Sequence, residues 1–178
     1  CDWYVETAKY RIYHKEEEKA AADCVLWVLK TVLKQALKLL HPFMPFITEE
    51  IYSVLVPEEE SLMMSEWPQF HAEWDFPAEE NVMEHVKEIT RGIRNMRAEM
   101  NVPNNRKTKV YVVCEDTEIC DGISTLENSI KPLMMAEKIL VQQTKENIAD
   151  NAVSVVVPDA VVYLPLEDLV DFEQEMER

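Results

Sequence analysis

The sequence predicts a mainly α protein with a small α+β part, a helical bundle followed by a small mixed α/β subdomain. Three observations carry this. Apolar residues recur at helical spacing through most of the first hundred positions, with prolines at the breaks. From residue 108 the period shortens and valine becomes the commonest apolar residue. With 47% hydrophobic residues in 178, the chain can bury a core and is no disordered segment.

The elements follow in order. From Asp2 to about Tyr13 the pattern is helical, with Trp3, Ala8 and Ile12 on one face. The stretch "HKEEEK" reads as a solvated connection or a first helical turn, its glutamates suited to a helix N-terminus. "AAADCVLWVLKTVLKQALKLL" repeats apolar residues at Val25, Leu29, Val32, Ala36 and Leu39/Leu40. Pro42 and Pro45 end that helix, because proline lacks a donor and disfavours α geometry in the residue before it. Thr48 is placed to cap the next helix, which runs to about Val56 before Pro57. Phe43, Met44, Phe46 and Ile47 crowd the corner and are expected to form the core between the two helices. His41 reads as a packed or capping histidine. "SLMMSEWPQFHAEWDFP" is then an extended aromatic strap over the helical body.

Residues 82–100 give the clearest helix. Val82, Val86, Ile89, Ile93, Met96 and Met100 fall within about 80° of one another at 100° per residue. Lys87, Arg91, Arg94 and Arg97 lie on one flank, and Glu84, Glu88, Asn95 and Glu99 on the other. Beyond "NVPNNRK", strands are expected at 108–114, 138–143, 152–157 and 160–165, with a helix over 117–130 and a hairpin around Pro158-Asp159. Three parts result: a partial bundle with its strap over 1–103, a small α+β subdomain over 104–165, and the start of a charged C-terminal helix over 166–178.

The net charge of −16 argues against a general polyanion binder. Its distribution is uneven, however. Residues 87–109 carry seven basic and two acidic side chains inside an otherwise acidic chain. A nucleic-acid partner would be drawn to that window. No apolar run approaches the roughly 20 residues needed to cross a bilayer, so no membrane partner is expected. The N-terminus lacks the features of a signal peptide. Its start without Met, in full amphipathic stride, suggests a piece of a longer chain. The four cysteines form no C-x-x-C and read as free thiols of a reducing compartment.

Catalytic chemistry finds no footing. Two glycines, Gly92 and Gly122, are too few for a phosphate-cradling loop or a dinucleotide fingerprint. There is no G-x-S-x-G, no H-E-x-x-H, no metal-ligand cluster and no cysteine with a base close in sequence. Carboxylate runs such as Glu58-Glu59-Glu60 read as solvated faces. A binding surface remains. Arginine pairs with phosphate in bidentate fashion, asparagine reads base edges, and unpaired RNA bases stack on aromatic and guanidinium planes. The competing reading is that these arginines pair with the bundle's own carboxylates, as Arg91 would with Glu88. Spacing leaves both open.

At "CDWYVETAKYRIY" (1–13), "LKLLHPFMPFITEEIY" (37–52), "SEWP" (65–68) and "IRNMRAEMNVP" (93–103), the chain resembles the C-terminal region of the valyl-tRNA synthetases, class Ia aminoacyl-tRNA synthetases. The resemblance runs over essentially the whole chain in order and spacing. It implies the anticodon-recognition portion of a valine–tRNA ligase, itself non-catalytic, cytoplasmic, with valine-accepting tRNA and the rest of the synthetase chain as partners. The parent enzyme would use ATP and Mg²⁺, and this portion would hold no cofactor. Family helices upstream of "CDWY" are missing, so apolar faces are expected to be exposed or to pair between chains. The tRNA-contact candidates are Lys9, Arg11 and Tyr13, with Arg91, Arg94, Asn95, Arg97, Asn101 and Asn104. The alternative from another class is an acidic helical module whose apolar faces bind a protein partner.

Overall fold

The computed structural model describes residues 2–103, 105–149 and 151–169, with the side chains of Asp2 and Asp168 left aside. The chain forms α1 (Asp2–Tyr13), α2 (Lys19–Leu40), α3 (Pro45–Leu55), two short 3-10 turns (Leu62–Met64 and Ala72–Trp74), α4 (Pro77–Glu99), β1 (Thr108–Cys114), α5 (Thr117–Met134), β2 (Ala136–Gln142), β3 (Val153–Val157), β4 (Ala160–Leu164) and α6 (Leu166–Leu169). It divides into two compact units, one of residues 8–75 and one of residues 1–7 with 76–178.

In the unit of residues 8–75, α2 and α3 meet at the two prolines. Pro45 takes the first helical position, where its missing donor costs nothing. Thr48 does not cap α3 as expected. It lies within the first turn, and its hydroxyl donates to the Met44 carbonyl at 2.8 Å. With that hydrogen committed, the hydroxyl accepts from Nδ1 of His41, also at 2.8 Å. A small core gathers Leu37, Tyr52, Val56 and Leu62. The corner residues do not fill it. Phe43 is 82% and Phe46 91% exposed, and Met44 and Ile47 are exposed too.

The segment after α3 is laced to α2 by lysines one turn apart. Lys30 pairs with Glu58 at 3.4 Å, Lys34 with Glu59, and Lys38 donates to the Glu66 carbonyl at 2.9 Å. Tyr52 also donates to Glu59. Two of the three carboxylates in the Glu58–Glu60 run are therefore structural partners rather than a purely solvated face. The strap is extended between the two 3-10 turns. Leu62 anchors it, and Trp74 stacks on His71 at 4.2 Å and meets Trp27 edge-on at 6.2 Å.

The other unit is a four-stranded sheet in the order β2-β1-β4-β3, backed by two helices. β1 and β2 are parallel, which requires the α5 crossover, and the other pairs are antiparallel. Pro158-Asp159 turns the β3–β4 hairpin as expected, with Asp159 at φ 58°. Asp116 caps α5 by accepting from the backbone N–H groups of Glu118 and Ile119. The α5 helix runs on past Pro132 to Met134, longer than the sequence pattern indicated. α6 begins where the C-terminal helix was expected, and 170–178 lie outside the described residues.

The apolar stripe of α4 packs here. Val86, Ile89, Ile93 and Met96 join Val110, Val112, Ile123 and Val162 in one core. Each such side chain stabilises by about 1.5–3 kcal/mol when fully buried, so α4 belongs with the sheet. The two compact units divide in sequence at residue 75, where the sequence reading set its parts at 103 and 165. Both glycines mark close approaches. A Cβ at Gly92 would come within 2.8 Å of Val155 Cγ1, and one at Gly122 within 2.7 Å of Val82.

Candidate nucleic-acid interface

α4 places basic side chains on the side away from its apolar stripe, and Trp3 organises two of them. The guanidinium carbons of Arg91 and Arg94 lie 5.9 and 5.5 Å from the centre of the Trp3 ring. A cation over an indole face is drawn to its negative quadrupole. Trp3 packs against the main core, so it forms a fixed plate beneath both arginines. In sequence it read only as an apolar face residue. A tryptophan has two faces and one edge, and spacing alone does not tell which of them carries a charge.

The two arginines differ in their other partners. Arg91 is exposed and pairs with Glu88 one turn back, the pairing that sequence offered as the competing reading. Such a surface pair contributes little and can be exchanged for a stronger anion. Arg94 donates Nε and Nη2 to the Leu133 carbonyl at 3.2 and 3.0 Å. That carbonyl belongs to the last turn of α5, where backbone acceptors lack helical partners and the helix dipole is negative. Lys87 is likewise paired, with Glu84, and this lowers the Glu84 carboxyl below its ordinary range.

Arg97 departs from the exposed flank. It is 4% exposed, and its Nη2 donates to the Pro103 carbonyl at 3.0 Å and the Arg106 carbonyl at 2.6 Å. Burial, and then the charge of Arg106, lower its pKa from the usual arginine value. A side chain so enclosed is a staple for the 103–106 loop, not a surface for RNA. The helical wheel put Arg97 beside Arg94 but carried no information about the loop that folds back over it.

Asn101 closes α4. It stands at φ 53°, its N–H donates to the Ala98 carbonyl at 3.1 Å, and Val102 N–H donates to the Arg97 carbonyl at 2.9 Å. This is a Schellman ending with asparagine in the left-handed position. The Asn101 side chain is exposed, as is Asn95 on α4. Asn104 lies outside the described residues. Arg91, Arg94 and Asn95 therefore share one solvent-facing region of α4, and Asn101 stands at its end.

Lys9, Arg11 and Tyr13 belong to the other unit. Lys9 is exposed, Arg11 half-buried, and Tyr13 78% exposed at the end of α1. Beside them Tyr10 and His14 pack ring to ring at 4.3 Å, and Nδ1 of His14 donates to the Tyr10 carbonyl.

No group of three or more His, Cys, Asp or Glu could hold a metal among the described residues, and both glycines are helical and pressed against valines. Cys24, Cys114 and Cys120 are free thiols. Burial pushes the Cys120 thiol up to about 11, so it stays protonated and inert as a nucleophile. No described helix is long and apolar enough to cross a membrane.

Comparison with known proteins places the chain in a family. Residues 1–112 match the model of a family described as the anticodon-binding domain of tRNA ligase. The whole chain aligns with the valine–tRNA ligase of Clostridium tetani at 41% identity, covering 20% of that protein. It aligns with that of Clostridium perfringens at 42%, and with that of Carboxydothermus hydrogenoformans at 39%, covering 20% of each. The chain thus spans about a fifth of the length of the curated relatives it matches.

Proposed function

The chain belongs to the family of anticodon-binding domains of tRNA ligases, and we propose that it is the tRNA-recognition portion of a valine–tRNA ligase. The observation that carries this is its 41% identity, along its entire length, to a valine–tRNA ligase. The partner is then a valine-accepting tRNA in the cytoplasm. Joining valine to that tRNA with ATP and Mg²⁺ is the work of residues outside these 178. No observation favours the acidic protein-interaction module.

The contact surface we propose is the Trp3-backed part of α4. Arg91 meets phosphate by exchanging Glu88 for it, and Asn95 and Asn101 supply amides to base edges. Arg94 contributes its charge while staying on Leu133. Lys9, Arg11 and Tyr13 form a second contact on the other unit. The exposed apolar residues from Phe43 to Ile47 are covered by other parts of a synthetase chain, with self-association through them as the alternative.

The test is binding of a valine-type anticodon stem-loop by Arg91→Ala/Asn95→Ala and by Lys9→Ala/Arg11→Ala. Each pair should weaken binding about tenfold and flatten its salt dependence. Unchanged affinity in both would remove the proposed surface. Sedimentation of Phe43→Ser/Phe46→Ser against wild type reads the self-association alternative directly.

A further inference from the structure

We propose that the uncovered face of the sheet is a second RNA-contacting surface, where unpaired bases stack on Tyr111 and Tyr163 and lysine ammonium groups meet the phosphates. The proposal rests on the reading of the chain as a tRNA binder. It goes beyond that reading because none of the contact candidates lies on the sheet.

The two helices cover one side of the sheet only. Along β1 the residues alternate between buried and less buried, and β4 does the same. Val110, Val112, Val162 and Leu164 point into the core, so Tyr111 and Tyr163 point the other way. β1 and β4 are the two central strands, and Tyr111 and Tyr163 are direct register partners across them. Tyr111 and Tyr163 are each half-buried on this face, and an aromatic pair at the middle of a sheet offers ring surface on which bases stack, whatever their identity.

The charge on that face has the matching sign. Lys109 and Lys138 are register partners on β1 and β2, and the Lys145 ammonium lies 5.1 Å from the centre of the Tyr163 ring. Among the described residues the strands themselves carry one carboxylate, Glu137, at the irregularity beside Thr108 and Lys109, and Glu146 follows Lys145 in the loop after β2. Three lysines beside two tyrosines run against a net charge of −16. Lysine is depleted at protein–protein interfaces, so this composition favours a polyanion over a protein partner.

The experiment uses the whole chain with two probes, a valine-accepting tRNA transcript and a ten-nucleotide oligouridine. Lys138→Glu/Lys145→Glu should weaken oligouridine binding about tenfold at low salt and reduce the salt slope by about 2. Tyr111→Leu/Tyr163→Leu keeps apolar volume, and should weaken binding about tenfold with the slope unchanged. Ultraviolet cross-linking of the wild type should place uridine adducts on the peptides holding Tyr111 and Tyr163. Both lysines are exposed, which keeps the test valid should the tyrosine pair unfold. Wild-type affinity in the lysine pair, with adducts elsewhere, overturns the sheet proposal and leaves tRNA recognition standing. Failure of the wild type to bind either RNA overturns both. Loss of self-association in the tyrosine pair, with RNA binding intact, makes the face a protein interface and also overturns the proposal.

Discussion

Arg94 on α4 donates both Nε and Nη2 to the Leu133 carbonyl at the end of α5, at 3.2 and 3.0 Å. A residue that sequence marks for RNA thus also closes a helix. Arg94→Ala should lower the stability of the sheet-containing unit by about 1–2 kcal/mol, the range for a charge-assisted bond at a partly exposed site. The urea midpoint measures it. An unchanged midpoint would mean that Arg94 has no structural part.

Arg97 allows a sharper separation. Arg97→Met fills similar volume but leaves the Pro103 and Arg106 carbonyls without their donor, and should cost about 1–3 kcal/mol. Affinity for tRNA should change only as far as the 103–106 loop loosens. A variant with wild-type thermal stability and much weaker tRNA binding would return Arg97 to the list of direct contacts.

Gly122 tests the packing between α4 and α5. In an open helix, alanine would gain up to about 1 kcal/mol over glycine. Here its Cβ would sit 2.7 Å from both Val82 methyl groups, and valine has few rotamers to retreat into. Gly122→Ala should therefore destabilise, by about 1–3 kcal/mol. Adding Val82→Ala should recover part of the loss, and the double-mutant cycle measures how much.

Acid should weaken the unit of residues 8–75 through Glu59. The hydrogen bond from Lys34, and then that from Tyr52, hold its carboxyl below the ordinary value of 4.5. A depressed folded pKa gives stability that is complete above the unfolded value and is lost as pH falls through the folded one. Trp27 and Trp74 report unfolding within this unit. Wild type should lose stability below pH 4.5, and the difference between wild type and Glu59→Gln should shrink there. A difference constant with pH would contradict the assignment.

Much of the fold was legible because period and burial agree. The stripe from Val82 to Met100 is the buried face of α4, and β1 has the bounds its valines suggested. What covers each face was not legible. The stripe on α4 looked like part of a bundle because a helical wheel shows that a face is apolar, not whether a helix or a sheet lies against it. Phe43 and Phe46 looked like core for the same reason, and they are exposed. Among the site residues, Arg91 is exposed on the flank where charge segregation put it, and Asn95 is exposed as well. Arg97 does not, because its environment is set by a loop that crosses the helix end. Trp3 was missed because its role depends on arginines some ninety positions away.

The central claim is anticodon recognition by this chain. The most direct measurement is titration of the wild-type chain with a valine-type anticodon stem-loop and with one whose anticodon bases are scrambled, each at two salt concentrations. The account predicts tighter binding to the first at both, with both affinities falling as salt rises. Equal affinity for the two, or no binding by the folded protein, would contradict it.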